Sequence, residues 1–281
     1  MLISTKTTLN CRGRLLDLSS PIVMGILNVT PDSFYDGGRY GDMDAILNRA
    51  EKMLAEGATI IDIGGMSSRP GAKEVPVDVE LSRSIPAVKM LRKRFPEAFI
   101  SIDTVWAEVA RQAVDVGADM VNDISTSSMD DTLIPTVGQL GVPYILMHMQ
   151  GKPQTMQKNP KYDNVVTDII DFFIRKTNEL RENGIQDIII DPGFGFGKTV
   201  EHNYTILRNM GDFRILDLPI LVGLSRKSMI YKVLDTTPDR ALNGTTALHM
   251  IALQNGAKIL RVHDVREAVE VVKLYHQASS I

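Results

Sequence analysis

Short, nearly continuous apolar runs alternate along this chain with longer stretches of helical period. One phrase recurs. "EGATIIDIGG", "VGADMVNDIS", "NGIQDIIIDPG" and "NGAKILRVHD" each place a glycine after a helix-like segment, then a brief apolar run, then polar residues. Glycine tolerates the left-handed backbone that ends a helix. An unbroken, β-branched run suits a strand buried on both faces. Further runs of this kind are "IVMGILNVT" (22–30), "FISIDT" (99–104), "VPYILMHM" (142–149) and "PILVGLS" (219–225). Helical patterns over 44–56, 78–94, 105–116, 161–183, 239–255 and 265–278 lie between them. Eight strand candidates alternating with helices predict an α/β fold, a (β/α)8 TIM barrel. A doubly wound open sheet would share the periodicity, which does not show closure. With no Ser/Gly/Pro-rich linker, a single domain over 1–281 is expected. Residues 1–20, with "TTLNCRGRLLDL", precede the first strand and are expected to form a short N-terminal hairpin closing the bottom of the barrel.

Composition narrows the class. Over 281 residues, 44% apolar and 23% charged content is that of a soluble globular protein able to bury a substantial core. A formal net charge of −3 gives no support for a general nucleic-acid binder. The basic run "KMLRKRF" reads as a solvated helix face. Cys11 is the only cysteine, so no internal disulfide forms and a reducing compartment is expected. The first residues lack an apolar signal core, and no run approaches a membrane span, so the expected location is cytoplasmic with no membrane partner.

In a barrel of this kind the chemistry gathers at the C-terminal ends of the strands. Those ends carry Asn28, Asp62, Asp103, Asn122 with Asp123, Met147 with His148, Asp191, "SRKS" (225–228), and Arg261 with His263 and Asp264. Polar residues end many strands because loops are wet. That alone is a poor account of carboxylates or amides closing five of eight strands. Asp103, Asn122 and Asp191 suit a flat heterocycle with several N–H donors and a carbonyl, since a carboxylate accepts two N–H bonds from a guanidine-like edge. Lys227, Arg261 and His263 supply the positive charge an anionic group requires, where barrels often hold phosphate. Two loops, "NVTPDSFYDGG" (28–38) and "GGMSSRPGA" (64–72), read as mobile covers of the mouth. In them Phe34 would exclude water and Arg69 would hold an anion.

"DPGFGFGKT" (191–199) looks like a nucleotide loop and fails by one residue in two ways. A phosphate-binding P-loop needs glycine where Pro192 stands, and the dinucleotide fingerprint needs glycine where Lys198 stands.

These motifs closely resemble the dihydropteroate synthases, within the pterin-binding barrel family. The matching pieces are "GILNVTPDSF", "IDIGG", "SSRPGA", "SIDT", "VNDIS", "LMHMQG", "DPGFGFGK", "SRKS" and "RVHDV", in the family's order from residue 25 to 265. The resemblance implies that 6-hydroxymethyl-7,8-dihydropterin pyrophosphate is joined to para-aminobenzoate, giving 7,8-dihydropteroate and pyrophosphate in folate synthesis. It implies a (β/α)8 barrel, a homodimer and assistance by Mg2+. Asp103, Asn122, Asp191 and Lys227 would hold the pterin, with Ile124 and Met147 lining its slot. Asn28 would bind the metal, and Arg261, His263 and Arg69 the pyrophosphate. Phe34, Ser68, Pro70, Phe196 and Ser228 would surround para-aminobenzoate, with Asp32 and Asp36 supporting the first loop. Asp103, Lys227 and Arg261 would be the catalytic residues. The loop at 191–199 would then carry the pterin anchor Asp191 and no phosphate lysine.

The chain departs from the family pattern at Met66, where glutamate is common, and at Ser68, where threonine is. Tyr231 replaces a small residue and reads as peripheral. Three alternatives share part of the pattern. A methyltetrahydrofolate–corrinoid methyltransferase shares the Asp/Asn/Asp set but needs no pyrophosphate clamp. A non-catalytic pterin-binding partner rests on Met66 alone. A phosphosugar enzyme leaves the Asp103–Asn122–Asp191 set without a purpose.

Overall fold

The apolar runs form strands that close on themselves, in a computed structural model that describes residues 7–30, 38–66, 75–151, 156–157 and 159–279. A hairpin comes first, β1 (Thr8–Cys11) antiparallel to β2 (Arg14–Asp17). The barrel strands are β3 (Ile22–Asn28), β4 (Ile60–Gly64), β5 (Phe99–Asp103), β6 (Met120–Asp123), β7 (Tyr144–Met147), β8 (Ile188–Asp191), β9 (Ile220–Val222) and β10 (Ala257–Val262). Every barrel pairing is parallel, and β10 returns to β3, so the sheet is closed rather than open. Around it run α1 (Gly38–Ala55), α2 (Val77–Arg94), α3 (Ala107–Val116), α4 (Leu133–Leu140), α5 (Val165–Glu182), α6 (Val200–Arg208), α7 (Ser228–Tyr231), α8 (Leu242–Gln254) and α9 (Val265–Ser279).

The strands alternate in the way a filled barrel requires. Their outward residues, such as Val23, Ile61, Ile102, Val121, Ile190 and Leu260, join the helices in one large apolar core. Inward, the lower layer is Met24, Ile60, Met120, Ile145, Ile189, Leu221 and Ile259. Leu9, Cys11, Leu16 and Leu18 of the hairpin region pack on that layer, so the hairpin does close the bottom. Buried there, the Cys11 thiol is pushed up to about 12 by desolvation and is chemically inert. Asp119 ties the hairpin to the barrel. Its carboxylate meets Arg14 at 2.9 Å and Arg92 at 2.5 Å, and accepts from the Ile100 N–H at 2.7 Å. Two residues further along β4, β6, β8 and β10, the inward face turns polar at Asp62, Asn122, Asp191 and Arg261.

Three helices lie outside the periodic patterns: α4, α6 and the four-residue α7. α4 contains Pro135 and Gly138, both of which weaken a helical pattern. Packing explains Gly138: a Cβ there would lie 1.8 Å from the Asn183 carbonyl oxygen, so only glycine lets α4 rest on the end of α5. α6 has nine residues and is started by Thr199, whose hydroxyl accepts the His202 N–H at 3.1 Å in a capping box. α5 begins later than its pattern, because the Asn164 side chain caps it by accepting from Val166 and Thr167.

His249 on α8 is buried, and neither ring nitrogen has a hydrogen-bond partner among the described residues. Desolvation lowers its pKa from 6.5 to about 4, with Asp264 opposing the shift. The unfolded chain therefore takes up this proton first. Stability is full above pH 6.5 and falls between there and pH 4, by on the order of 3 kcal/mol. Urea midpoints measured across that window will drop for the natural protein. In His249→Leu much of the drop will be gone, and equal pH slopes in both would contradict this reading.

Candidate active site

The upper, polar layer is organised by one guanidinium. Arg261 of β10 donates from Nε to Asp62 Oδ2 of β4 at 2.6 Å and from Nη2 to Asp103 Oδ2 of β5 at 2.6 Å. Asn122 of β6 donates to the same Asp62 oxygen at 3.1 Å. Four strands are thereby stitched across the mouth. All four side chains are buried or nearly so, and charges in such a place need partners. Burial pushes the Asp103 carboxyl up to about 7; Arg261 pulls it down, and Asp62 adds to the rise. Burial also works against the Arg261 charge, but Asp62 and Asp103 hold it protonated well above the ordinary range. Asp62 Oδ1 has no partner among the described residues.

A second acid–base pair faces the first. Asp191, at the end of β8, accepts the Gly193 N–H at 2.7 Å and is raised by burial against the pull of Lys227. Lys227 donates to the Phe194 carbonyl and lies 4.4 Å from the centroid of the Phe196 ring. Burial lowers its ammonium to about 8, with Asp191 opposing and Arg261 assisting. Beside these charges stands an apolar wall of Val105, Ile124, Met147, Met156 and Phe196, against which Met66, Trp106, Met129 and Met149 pack. One polar edge, one apolar wall and a stacked cation make a slot fitted to a flat, hydrogen-bonding ring.

The loop at 191–199 binds itself. Lys198 Nζ is buried and donates to the carbonyls of Gly193 and Phe196 at 3.0 Å and of His148 at 3.2 Å, with His148 Nδ1 at 3.0 Å. Desolvation lowers this ammonium to about 7, Asp191 opposing. His148 is lowered to about 2 by burial and then by Lys198, so it serves as an acceptor. Gly193 (φ +70°) has no room for a side chain, since its Cβ would stand 1.9 Å from the His148 carbonyl oxygen. The lysine that a phosphate would need is committed to the loop's own carbonyls, so the nucleotide-loop readings lose it in space as they fail in sequence.

Beyond β9 and β10, Ser225 Oγ lies 3.1 Å from His263 Nδ1. Arg226 makes a two-pronged pair with Asp264 at 2.7 and 2.8 Å. Asn28 ends β3 opposite Gly64, and a Cβ at Gly64 would meet Asn28 Oδ1 at 3.4 Å and Asp103 Oδ2 at 3.7 Å. Asn28 and Asp103 thus both approach Gly64 at the ends of β3, β4 and β5.

A family model described as "Pterin binding enzyme" matches residues 24–263. The chain belongs to the pterin-binding enzyme family. A dihydropteroate synthase of Haemophilus influenzae is 48% identical over 97% of this pterin-binding enzyme and 99% of its own length. Among solved structures, a Yersinia pestis dihydropteroate synthase with a sulfonamide drug superposes with a TM-score of 0.92 at 44% identity, covering 98% of this chain and 100% of that one. A Xanthomonas albilineans dihydropteroate synthase with 4-aminobenzoic acid gives 0.91 at 39% identity, covering 99% and 100%.

In this pterin-binding enzyme, Asp103, Asn122, Ile124, Met147, Asp191, Phe196, Lys227 and Arg261 gather at one mouth. Ser228 starts α7 just after Lys227, and His263 lies beside Ser225. Asp32, Phe34, Asp36, Ser68, Arg69 and Pro70 lie outside the described residues. The site roles of Asp62, Lys198 and Arg226 were missed. Asp62 shares the strand-end position of the other acids, a signal available in the sequence. Lys198 and Arg226 sit among glycines and loop residues, where no periodicity points to a partner. Replacing Lys198 with methionine strands three carbonyl oxygens, which will lower stability by about 2 kcal/mol or more in urea unfolding. An unchanged midpoint would contradict its role as the fastener of the loop.

Proposed function

We propose that this chain condenses 6-hydroxymethyl-7,8-dihydropterin pyrophosphate with para-aminobenzoate, forming 7,8-dihydropteroate and pyrophosphate, the dihydropteroate synthase reaction. The observation that carries this is the Asp103–Asn122 edge and the Asp191–Lys227 pair meeting beside the wall of Ile124, Met147 and Phe196. A related Xanthomonas albilineans dihydropteroate synthase, with 34% identity and a TM-score of 0.86, was solved in complex with 7,8-dihydropteroate.

The residues divide the work. Asp103, Asn122, Asp191 and Lys227 take the donors and the carbonyl of the pterin, while Ile124 and Met147 bracket its flat face. Arg261, His263, Asn28 and the second-loop Arg69 hold the pyrophosphate. As the methylene C–O bond breaks, the electron pair leaves with pyrophosphate and positive charge spreads into the dihydropterin. An ionised Asp103 beside the ring would stabilise that charge without reorganising. The arylamine nitrogen then bonds to the methylene and gives up its proton. Phe34, Ser68, Pro70, Phe196 and Ser228 surround this second substrate, and Asp32 and Asp36 support the first loop. A dry site favours the amine over water.

Mg2+ fits the donors present. The described residues hold no cluster of three or more His, Cys, Asp or Glu able to cage an ion. A hard cation that keeps waters and takes substrate phosphates needs only an oxygen such as Asn28 Oδ1. When bound there it would neutralise the leaving pyrophosphate.

Two copies of the chain are expected to pair. Val233 and Leu234 are 57% and 51% exposed, and Ile251 is 38% exposed on the α8 face that also carries Gly244, against which Leu234 packs. Exposed apolar side chains of this kind are available for a homodimer contact. No helix among the described residues is long and apolar enough to cross a membrane. A cytoplasmic location is our reading of the single, buried cysteine.

The test is pyrophosphate release by the purified chain with Mg2+, with and without para-aminobenzoate, followed by identification of the pterin product. Dihydropteroate formed only with the arylamine present is the expected result; pterin binding without product would contradict it. Asp103→Asn will lower turnover by about 100-fold or more while retaining the fold, as loss of a charge-stabilising group does.

A further inference from the structure

We propose that Ser225 is a positioning residue that fixes His263 as the neutral imidazole with its proton on Nε2. Ser225 is buried, at 4% exposure, just beyond the end of β9. Its Oγ accepts the backbone N–H of His263 at 3.3 Å and lies 3.1 Å from His263 Nδ1. A buried hydroxyl proton needs an acceptor. Among the described residues, Nδ1 is the acceptor the Ser225 hydroxyl reaches. The hydroxyl therefore donates to Nδ1, which must be unprotonated, and the ring proton of the neutral imidazole resides on Nε2.

The surroundings hold both partners in register. The carbonyl of His263 accepts from Arg49 of α1 at 3.0 Å, so the histidine is fastened at both backbone groups. On the other side, Arg226 sits in the left-handed region at φ +55°, a conformation a non-glycine residue keeps only when its neighbours hold it. They do: its N–H goes to Thr245, and its guanidinium goes to Asp264 and to the carbonyls of Pro238 and Asp239. Arg226 thus joins the loops after β9 and β10, with Ser225 preceding it and Asp264 following His263. The clamp sets the Ser225–His263 distance from both ends.

The consequence for the reaction rests on the reading that His263 holds pyrophosphate. Lys227 and Arg261 already bring two cations into this mouth. A neutral ring adds an N–H donor for an anion without a third charge. Mutating Ser225 removes the hydroxyl that keeps Nδ1 unprotonated, so the ring proton can reside on either nitrogen and a fraction of the molecules offers the anion an acceptor.

The tautomer is read directly by long-range 1H–15N correlation spectra of the 15N-labelled full chain at pH 8, without substrate. The signals are assigned by their loss in His263→Gln. The expected pattern is an unprotonated Nδ1 and a protonated Nε2. In Ser225→Ala the two nitrogens should average, KM for the pterin pyrophosphate should rise about tenfold, and kcat should change less than KM. Ser225→Thr keeps the hydroxyl and should restore both readings. A protonated Nδ1 in the natural protein overturns the proposal, and so does a Ser225→Ala variant with unchanged spectrum and KM. Since the spectrum needs no substrate, failure of the synthase assay would sink the proposed function and leave the tautomer result standing.

Discussion

The mouth of this barrel depends on keeping a guanidinium and two carboxylates together out of water. Arg261 lies between Asp62 and Asp103, with Asn122 on the same Asp62 oxygen. Remove Arg261 and two carboxylates are left buried without a cation, a far worse state than the triad; remove one carboxylate and Arg261 is held by the other alone. That constraint ties β4, β5, β6 and β10 into one rigid rim. It also decides the electrostatics: a carboxyl pushed upward by burial remains usable as an anion because a cation is fixed 2.6 Å away.

Below the rim, the same strands carry methionine, isoleucine and leucine, and the hairpin seals them. This division follows from a period of two. On β4, β6, β8 and β10 the strand that contributes an apolar plug at one position contributes a polar side chain to the site two residues on, as Ile60 and Asp62 or Ile189 and Asp191 do. The stability of the lower layer is what allows the upper one to hold unfavourable charges at fixed distances. The 191–199 loop uses a related device. Its lysine holds its own backbone, which brings Phe196 and Asp191 to the slot, turns the Phe194 carbonyl to Lys227, and leaves Lys227 as the cation that meets the ring wall.

Much of this was legible in the chain. Unbroken apolar runs preceded by glycines gave the strands, and polar residues at their ends gave Asp103, Asn122, Asp191 and Arg261. These signals survive because both strand period and barrel geometry are local rules. Closure was not legible, since it depends on β10 meeting β3 across the whole chain. Nor were the Arg226–Asp264 clamp and the Asp119–Arg14 tie, whose partners are 38 and 105 residues apart with no periodic mark. α4 was hidden because the glycine that lets it pack on Asn183 also weakens the helical pattern. Met66, which as a replacement for glutamate put loop behaviour in question, packs with the apolar wall beside Trp106.

The account stands on the claim that Asp62 acts through Arg261 to shape the ring slot. The direct measurement is calorimetric binding of the dihydropterin pyrophosphate to the natural chain and to Asp62→Asn, with the fold checked by circular dichroism. The account predicts a loss of affinity of about tenfold or more, equivalent to about 1.4 kcal/mol, in a variant that remains folded. Natural affinity in folded Asp62→Asn would contradict it, and would mean that Arg261 needs only Asp103 to take its place.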